Sequence, residues 1–264
     1  MKDNKKFTKL LLASLSVVLV VGISVSATLA YLTATTKVKE NNFRSTSAVQ
    51  GQVLEPSYLT DVNYQPGDTI NKDPLIDNDT KDYPIWVAAK LTFKINVTGT
   101  TWETVSYETF KKYAVMRTDS NKTFTEALNT DWTKLAAASD GNLYVYYNNS
   151  IAADTSAGES APDTKGHGGS AGTDTTDATA PIFDYVYINP DIRIQSGLQS
   201  GETSTLRTTV NPNGPSNADI YQQFNIKIFI EGYGVMNDTG ETSISGKTAV
   251  IEELQNGLGY TAAP

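Results

Sequence analysis

Cysteine is absent from this chain of 264 residues, and histidine occurs once. The lack of cysteine excludes disulfides, thiol catalysis and cysteine-based metal or iron–sulfur sites. Stability must therefore come from packing and strand pairing. The single histidine, His167, lies in a polar, glycine-rich tract, and one imidazole cannot supply the paired histidines of the usual zinc protease site.

Basic residues are outnumbered: 21 lysines and arginines stand against 29 aspartates and glutamates, for a formal net charge of −8. This acidic balance argues against nucleic-acid binding and against adhesion to anionic lipid by charge alone. The sequence also lacks the G-x-S-x-G, S-x-x-K and phosphate-cradling glycine motifs. It offers no recognisable catalytic residue and no resident metal site, so we expect a protein that is not an enzyme.

The N-terminus carries a secretory signature. Four lysines precede an uncharged stretch from Leu10 to Thr36, whose strongly apolar part ends at Ile23. A basic start, a short apolar core and small residues before a cut are typical of a signal peptide, here with cleavage between Ala30 and Tyr31. A retained membrane anchor is the alternative, because residues 10–31 are about long enough to cross a bilayer. Either way the rest of the chain lies outside the cell. We expect a secreted protein of the extracellular matrix or cell surface that meets the membrane only through this segment before cleavage.

Strand patterns dominate the remaining sequence. Residues 85–97 alternate between an apolar face and a polar face, which predicts a half-buried antiparallel strand with one face toward water. Residues 223–231 alternate in the same way, with Phe229 as the exception. Shorter strand candidates are residues 50–54, 68–70, 143–147, 183–188 and 203–210. Many strands without alternating helices favour an all-β fold, an antiparallel β-sandwich.

Two short helices decorate this pattern. Residues 106–114 predict one, with Ser106 as its N-cap and Tyr107, Phe110 and Ala114 facing the sandwich. Residues 248–255 predict another helix, which ends at Asn256-Gly257.

The chain divides into four parts on these patterns. They are the signal peptide (1–30), an N-terminal arm (31–50), a β-sandwich domain (51–236) and a C-terminal extension with a short helix (237–264). Within the domain, residues 149–180 contain no large apolar side chain after Ile151, so burial cannot offset the entropy of ordering them. We interpret this segment as a long flexible loop inserted between two strands.

Two binding hypotheses accompany this reading. The first is calcium, for which acidic side chains offer oxygen ligands, although turns use the same residue types. These ligands would come from Asp73, Asp77, Asn78 and Asp79 and from the aspartates at 154, 163, 174 and 177. The second is a carbohydrate-binding module with a tyrosine stacking platform, against which cross-strand packing is the alternative role. The platform would consist of Tyr144, Tyr146, Tyr147, Tyr185 and Tyr187.

Short motifs along the chain resemble the TasA/camelysin (CalY) family, whose members Gram-positive bacteria export with a dedicated SipW-type signal peptidase. The motifs are Ala30-Tyr31-Leu32-Thr33, Asn41-Asn42-Phe43, Glu55-Pro56, Pro66-Gly67-Asp68, Lys72-Asp73 and the strand from Trp86, with weaker similarity at Asp131-Trp132-Thr133 and from Ile226 to Val235. The chain departs from the family in its long loop at 149–180, in residues 44–50 before Gly51, and in Gly232-Tyr233-Gly234 at the end of a strand.

The resemblance implies a jelly-roll-like sandwich and a function in biofilm matrix fibres. In such fibres the N-terminal segment of one subunit pairs as a strand in the next, so the candidate donor strand includes Thr33, Thr35, Val38 and Phe43. The partners would be further copies of the chain, other matrix proteins or polysaccharide. Camelysin is classed as a cell-surface metallopeptidase, which makes proteolysis the alternative function, although no recognisable metal ligands are present.

Overall fold

The computed structural model describes residues 42–45, 49–55, 66–96, 101–154, 177–194, 220–221 and 225–264. The strands in these residues are β1 (Asn42–Ser45), β2 (Gly51–Leu54), β3 (Thr69–Asn71), β4 (Leu75–Asn78), β5 (Ile85–Asn96), β6 (Glu103–Val105), β7 (Ala114–Arg117), β8 (Trp132–Lys134), β9 (Leu143–Tyr147), β10 (Tyr185–Ile188), β11 (Arg193–Ile194), β12 (Ile220–Tyr221) and β13 (Asn225–Met236). The helices are α1 (Tyr107–Phe110) and α2 (Thr248–Leu258). The fold is all-β, as the sequence predicts.

The largest sheet has the order β1-β13-β5-β9-β8, with β6 also paired to β5. Its centre is the antiparallel pair of β5 and β13, which runs in continuous register from Asn96 opposite Asn225 to Ile85 opposite Met236. Strand β5 matches its predicted range except for Val97, which lies outside the described residues. Strand β13 continues five residues beyond the predicted end at Glu231. The predicted strand stops there because Gly232 and Gly234 interrupt the alternation of apolar and polar side chains on which the prediction is based.

The smaller sheets consist of β3-β10-β7, β2-β4 and β11-β12. The main core lies between the large sheet and the three-stranded sheet. Val87 and Phe93 of β5 pack there in one cluster with Met116 of β7 and Val186 of β10. The aromatic rings of Phe93 and Phe110 stand 4.5 Å apart, which attaches α1 to this core.

The shorter strand predictions agree with the structure to within two residues at each end. The predicted strand at 143–147 coincides with β9, whereas 50–54, 68–70 and 183–188 correspond to β2, β3 and β10. The strand predicted at 203–210 lies outside the described residues, as do residues 155–176 of the predicted loop.

Both helix ends differ from their predictions. Ser106 caps α1 as predicted, since its hydroxyl accepts a hydrogen bond from the Thr109 amide at 3.2 Å. The helix nevertheless ends at Phe110, because Ala114 already pairs with Ile188 of β10. Helix α2 continues through residues 256–257 and ends at Leu258, where Gly259 takes the left-handed conformation at φ 72°.

A second core forms on the opposite face of the large sheet, beneath α2. Trp86, Ala88 and Tyr144 of that face pack against Leu254 and Leu258 of the helix, with Val235 and Ile244 in the same cluster. The alternation in β5 predicts a face toward water. That prediction is wrong for the half nearest Ile85, because the C-terminal helix covers it.

In the described part of the chain, no helix combines the length and hydropathy that crossing a membrane requires. The predicted signal peptide at 1–30 lies outside that part.

Candidate functional site: the seat of the N-terminal strand

Strand β1 is the first described segment of the predicted N-terminal arm, and it forms one edge of the large sheet. It pairs in parallel with the distal half of β13, from Asn42 opposite Glu231 to Ser45 opposite Gly234. The side chain of Arg44 forms a salt bridge with Glu231. A four-residue edge strand has few backbone hydrogen bonds, so its attachment depends strongly on its side chains.

Phe43 supplies the main side-chain contact of β1. Its ring lies over three glycines, and a Cβ placed on Gly51, Gly232 or Gly234 would approach a ring carbon to within 2.8–2.9 Å. Real Cβ atoms do not approach other carbons so closely, so the ring occupies space that exists because these three residues lack side chains. We call this site the glycine seat, defined by Gly51, Gly232 and Gly234.

Apolar side chains wall the glycine seat. Val53 and Ile76 lie beside Gly232, and Val49 and Ile85 lie beside Gly234. These side chains belong to the main core, and Phe43 packs against that core as a partly buried residue. Burying much of a phenylalanine ring is worth about 2 kcal/mol. The seat is therefore an apolar socket at the sheet edge, filled by the Phe43 ring.

The chain that follows β1 is anchored independently of the ring. The Gln50 amide donates to the Thr80 hydroxyl at 2.9 Å, and that hydroxyl donates back to the Gln50 carbonyl at 3.0 Å. The Asp79 amide adds a bond to the same carbonyl at 3.1 Å. Strand β2 then pairs with β4 over four residues. Residues 50–54 are thus held by β4 and the residues that follow it, whereas β1 is held by β13, by Phe43 and by a hydrogen bond from Ser45 to the Val49 carbonyl.

The other face of the same strand end receives a second aromatic contact. Tyr233, between the two seat glycines, points toward α2, where a Cβ on Gly257 would overlap its ring. The sequence Gly232-Tyr233-Gly234 therefore accepts a ring from β1 on one face and presents a ring to α2 on the other. Sequence reasoning noted this triplet as a departure from the family and did not recognise it as a site.

The described residues of the predicted calcium cluster have protein partners. The carboxylates of Asp77 and Asp79 accept hydrogen bonds from the side-chain amide of Gln52 at 3.4 and 3.2 Å. The Asn78 side-chain amide donates to the carbonyls of Tyr83 and Ala152. No group of three or more potential metal ligands occurs among the residues that the structure describes. The aspartates at 163 and 174 lie outside them.

The predicted tyrosine platform consists largely of packed side chains. Tyr144, Tyr147 and Tyr187 are buried, and Tyr146 and Tyr185 are half-buried. The Tyr144 hydroxyl donates to Asp140 at 2.8 Å and its ring meets Tyr260 edge-on at 5.2 Å. The packing interpretation is confirmed for the three buried tyrosines, which present no stacking surface to a sugar.

Of the predicted site residues, the structure describes Phe43. Ala30, Tyr31, Thr33, Thr35 and Val38 lie outside the described residues, as does His167. The glycines opposite Phe43 are the residues of this candidate site that the sequence analysis missed. The available signal was the pair of glycines two residues apart in a strand, which expose the same face of the backbone.

Comparison with known proteins does not assign the chain to a family: no family model matches it, and no curated protein or solved structure matches it. The family resemblance rests on the motifs of the sequence itself.

Proposed function

We propose that this chain is a secreted structural protein of the cell surface or biofilm matrix, without enzymatic activity, which forms fibres by N-terminal strand addition. The all-β fold is compatible with the jelly-roll-like sandwich that the family resemblance implies, and that finer architecture belongs to the proposal. The observation that carries the proposal is the glycine seat, an apolar socket at a sheet edge filled by a ring from the N-terminal arm.

The contacts of β1 do not require that it belong to the same molecule. Its backbone bonds meet β13, and its Phe43 ring meets the three glycines of the seat. Besides the main chain through residues 46–48, only the hydrogen bond from Ser45 to the Val49 carbonyl depends on the link to its own chain among the described contacts named above. An element held in this way is exchanged between copies at low cost, because each exchanged contact replaces an identical one. If the contact made within a chain in the structure is made between chains instead, each copy donates one strand and accepts one.

Such an exchange is heterologous, since the donor segment and the seat are different surfaces of the chain. Heterologous contacts extend into filaments when their rotation does not close a ring. Removal of residues 1–30 would leave residues 31–41 as additional chain ahead of β1. That chain would lengthen the donor strand along an open sheet edge.

The proposal is tested with the chain from residue 31 onward, which retains every described contact. We expect fibres in electron micrographs and large species in sedimentation at high protein concentration. Phe43→Ala should abolish the fibres and leave the circular dichroism spectrum unchanged. Phe124→Ala, which removes another half-buried ring distant in sequence from the seat, is the matched control and should form fibres normally.

A peptide of residues 31–50 provides the complementary test, since it should occupy vacant seats and shorten the fibres. The same peptide with Phe43→Ala should have no effect. A chain that stays monomeric at high concentration across pH and salt, or fibres that form equally well with Phe43→Ala, would overturn the proposed assembly.

A further inference from the structure

The ion pair between Arg44 and Glu231 lies on the opposite side of β1 from the glycine seat. Phe43 faces the core at Gly232, whereas Arg44, the next residue, stands opposite Tyr233 on the face that α2 covers. The Arg44 guanidinium reaches diagonally to the Glu231 carboxylate on that face. Strand β13 therefore contacts the arm on two sides, a ring on one and a cation on the other.

The ring alone does not determine how the arm is aligned with β13. A shift of one residue would turn Phe43 away from the core. A shift of two residues toward the end of β13 would place the ring opposite Gly234, where Val49 and Ile85 are apolar neighbours. A shift of two residues the other way would place it opposite Ile230, whose buried side chain fills that position. One wrong alignment thus still offers the ring a glycine.

The ion pair distinguishes that alignment from the observed one. After the shift toward the end of β13, Arg44 would stand opposite Val235, two residues or about 6.6 Å farther from Glu231. Its neighbours there, Tyr233 and Val235, carry no charge, so the guanidinium would lose its carboxylate. Exposed ion pairs add little affinity, but they discriminate between alignments and between partners when one charge is missing or reversed.

We propose that the Arg44–Glu231 pair selects both the register and the partner in strand exchange, so that the seat accepts an arm in which a cation directly follows the ring. This inference rests on the proposed assembly of copies by exchange of β1. The occupant is the arm of a second copy of this chain, whose sequence supplies Phe43 and Arg44 in that order. An arm with a neutral or acidic residue after the ring is disfavoured, because Glu231 then gains no cation from it or meets a like charge.

The test exchanges the two charges in the chain from residue 31 onward. Arg44→Glu brings a second carboxylate beside Glu231, and Glu231→Arg brings a second cation beside Arg44. Each variant alone should form fibres at a critical concentration raised roughly three- to tenfold, since a favourable exposed pair becomes a repulsive one. An equimolar mixture should form fibres near the parental critical concentration, because the arm of each variant matches the seat of the other. The sedimented mixed fibres should contain the two variants in equal amounts.

Controls separate the pair from net charge and from folding. Lys122→Glu and Glu252→Arg make the same two changes of net charge at exposed positions, and each should alter the critical concentration much less. Glu231→Arg also faces Lys90 across the sheet, so its circular dichroism spectrum and urea midpoint are measured first. The double variant Arg44→Glu/Glu231→Arg restores the pair with its charges reversed and should form fibres without a second protein.

The outcomes distinguish this inference from the assembly on which it rests. A parent chain without fibres, or fibres that survive Phe43→Ala, overturns the assembly and the inference with it. If parental fibres depend on Phe43 but both single charge variants assemble like their charge controls, the selection by charge is overturned and the assembly stands. If the single variants are weak, their mixture is equally weak and only the double variant recovers, the pair acts within one chain, which also overturns the inference.

Discussion

The three glycines of the seat make room for one ring, and at Gly232 and Gly234 the Phe43 ring is the nearest neighbour that an added side chain would meet. A methyl group at Gly234 would stand 2.8 Å from a Phe43 ring carbon and 3.1 Å from Val49. We expect Gly234→Ala to destabilise the fold by about 1–3 kcal/mol in urea denaturation, the usual cost of overpacking. In the background of Phe43→Ala the same substitution should cost clearly less, because the vacated ring position accepts the methyl group. Additive effects in this double-mutant cycle would show that the ring does not occupy the seat in solution.

Two aspartates have pKa values displaced in opposite directions, which predicts opposite pH dependences. Burial alone would raise the pKa of Asp140, but hydrogen bonds from the Asn142 backbone, the Tyr144 hydroxyl and the Asn142 amide hold it below its usual 3.8. Burial raises the pKa of Asp184, and the charge of Asp73 raises it further.

A lowered pKa stabilises the fold above the unfolded value and loses that contribution as pH falls through the folded value. Asp140→Asn should therefore lower stability at pH 7, by an amount that shrinks as the pH falls below the usual aspartate pKa and through the lowered pKa of Asp140. A raised pKa has the reverse sign, so Asp184→Asn should increase stability at pH 7 and have no effect at low pH. Urea midpoints of both variants and the parent, measured from pH 2 to 7, check this prediction. Parallel pH profiles for all three proteins would contradict it.

Among the elements, helix α2 shows most clearly how tertiary packing can reverse an intrinsic preference. Glycine in a helix interior normally costs about 1 kcal/mol relative to alanine, so Gly257→Ala would stabilise an isolated helix. Here the added methyl group would overlap the ring of Tyr233. We expect Gly257→Ala to lower the urea midpoint and alter the near-ultraviolet tyrosine signal. The matched control is Asn256→Ala, at an exposed neighbouring position, which should leave the midpoint unchanged or raise it.

Sequence patterns predicted those elements whose side chains carry a clear period. Strand β5 alternates from Ala89 to Ile95, and Ser106 marks the start of α1 with a side-chain cap. The patterns failed where pairing partners distant in sequence decide the structure. Strand β7 begins at Ala114 because β10 pairs with it there, against the helical prediction. The seat was missed for the same reason, since Gly51 lies about 180 residues from Gly232 and nothing local links either glycine to Phe43.

At the scale of the whole molecule, net charge predicts how the proposed assembly responds to salt. Fibre growth brings together acidic copies, each more negative than the −8 of the full chain because the net-positive residues 1–30 are removed, whereas the seat itself is apolar. Screening that repulsion should accelerate assembly, because the Debye length falls from about 30 Å at 0.01 M to about 8 Å at 0.15 M salt.

This prediction is checked by light scattering of the chain from residue 31 over a salt series. Phe43→Ala gives the baseline for scattering, since any salt-induced growth that it retains is aggregation independent of the seat. Assembly that slows with salt would mean that attraction between charges, and not burial of the ring, drives the contact between copies.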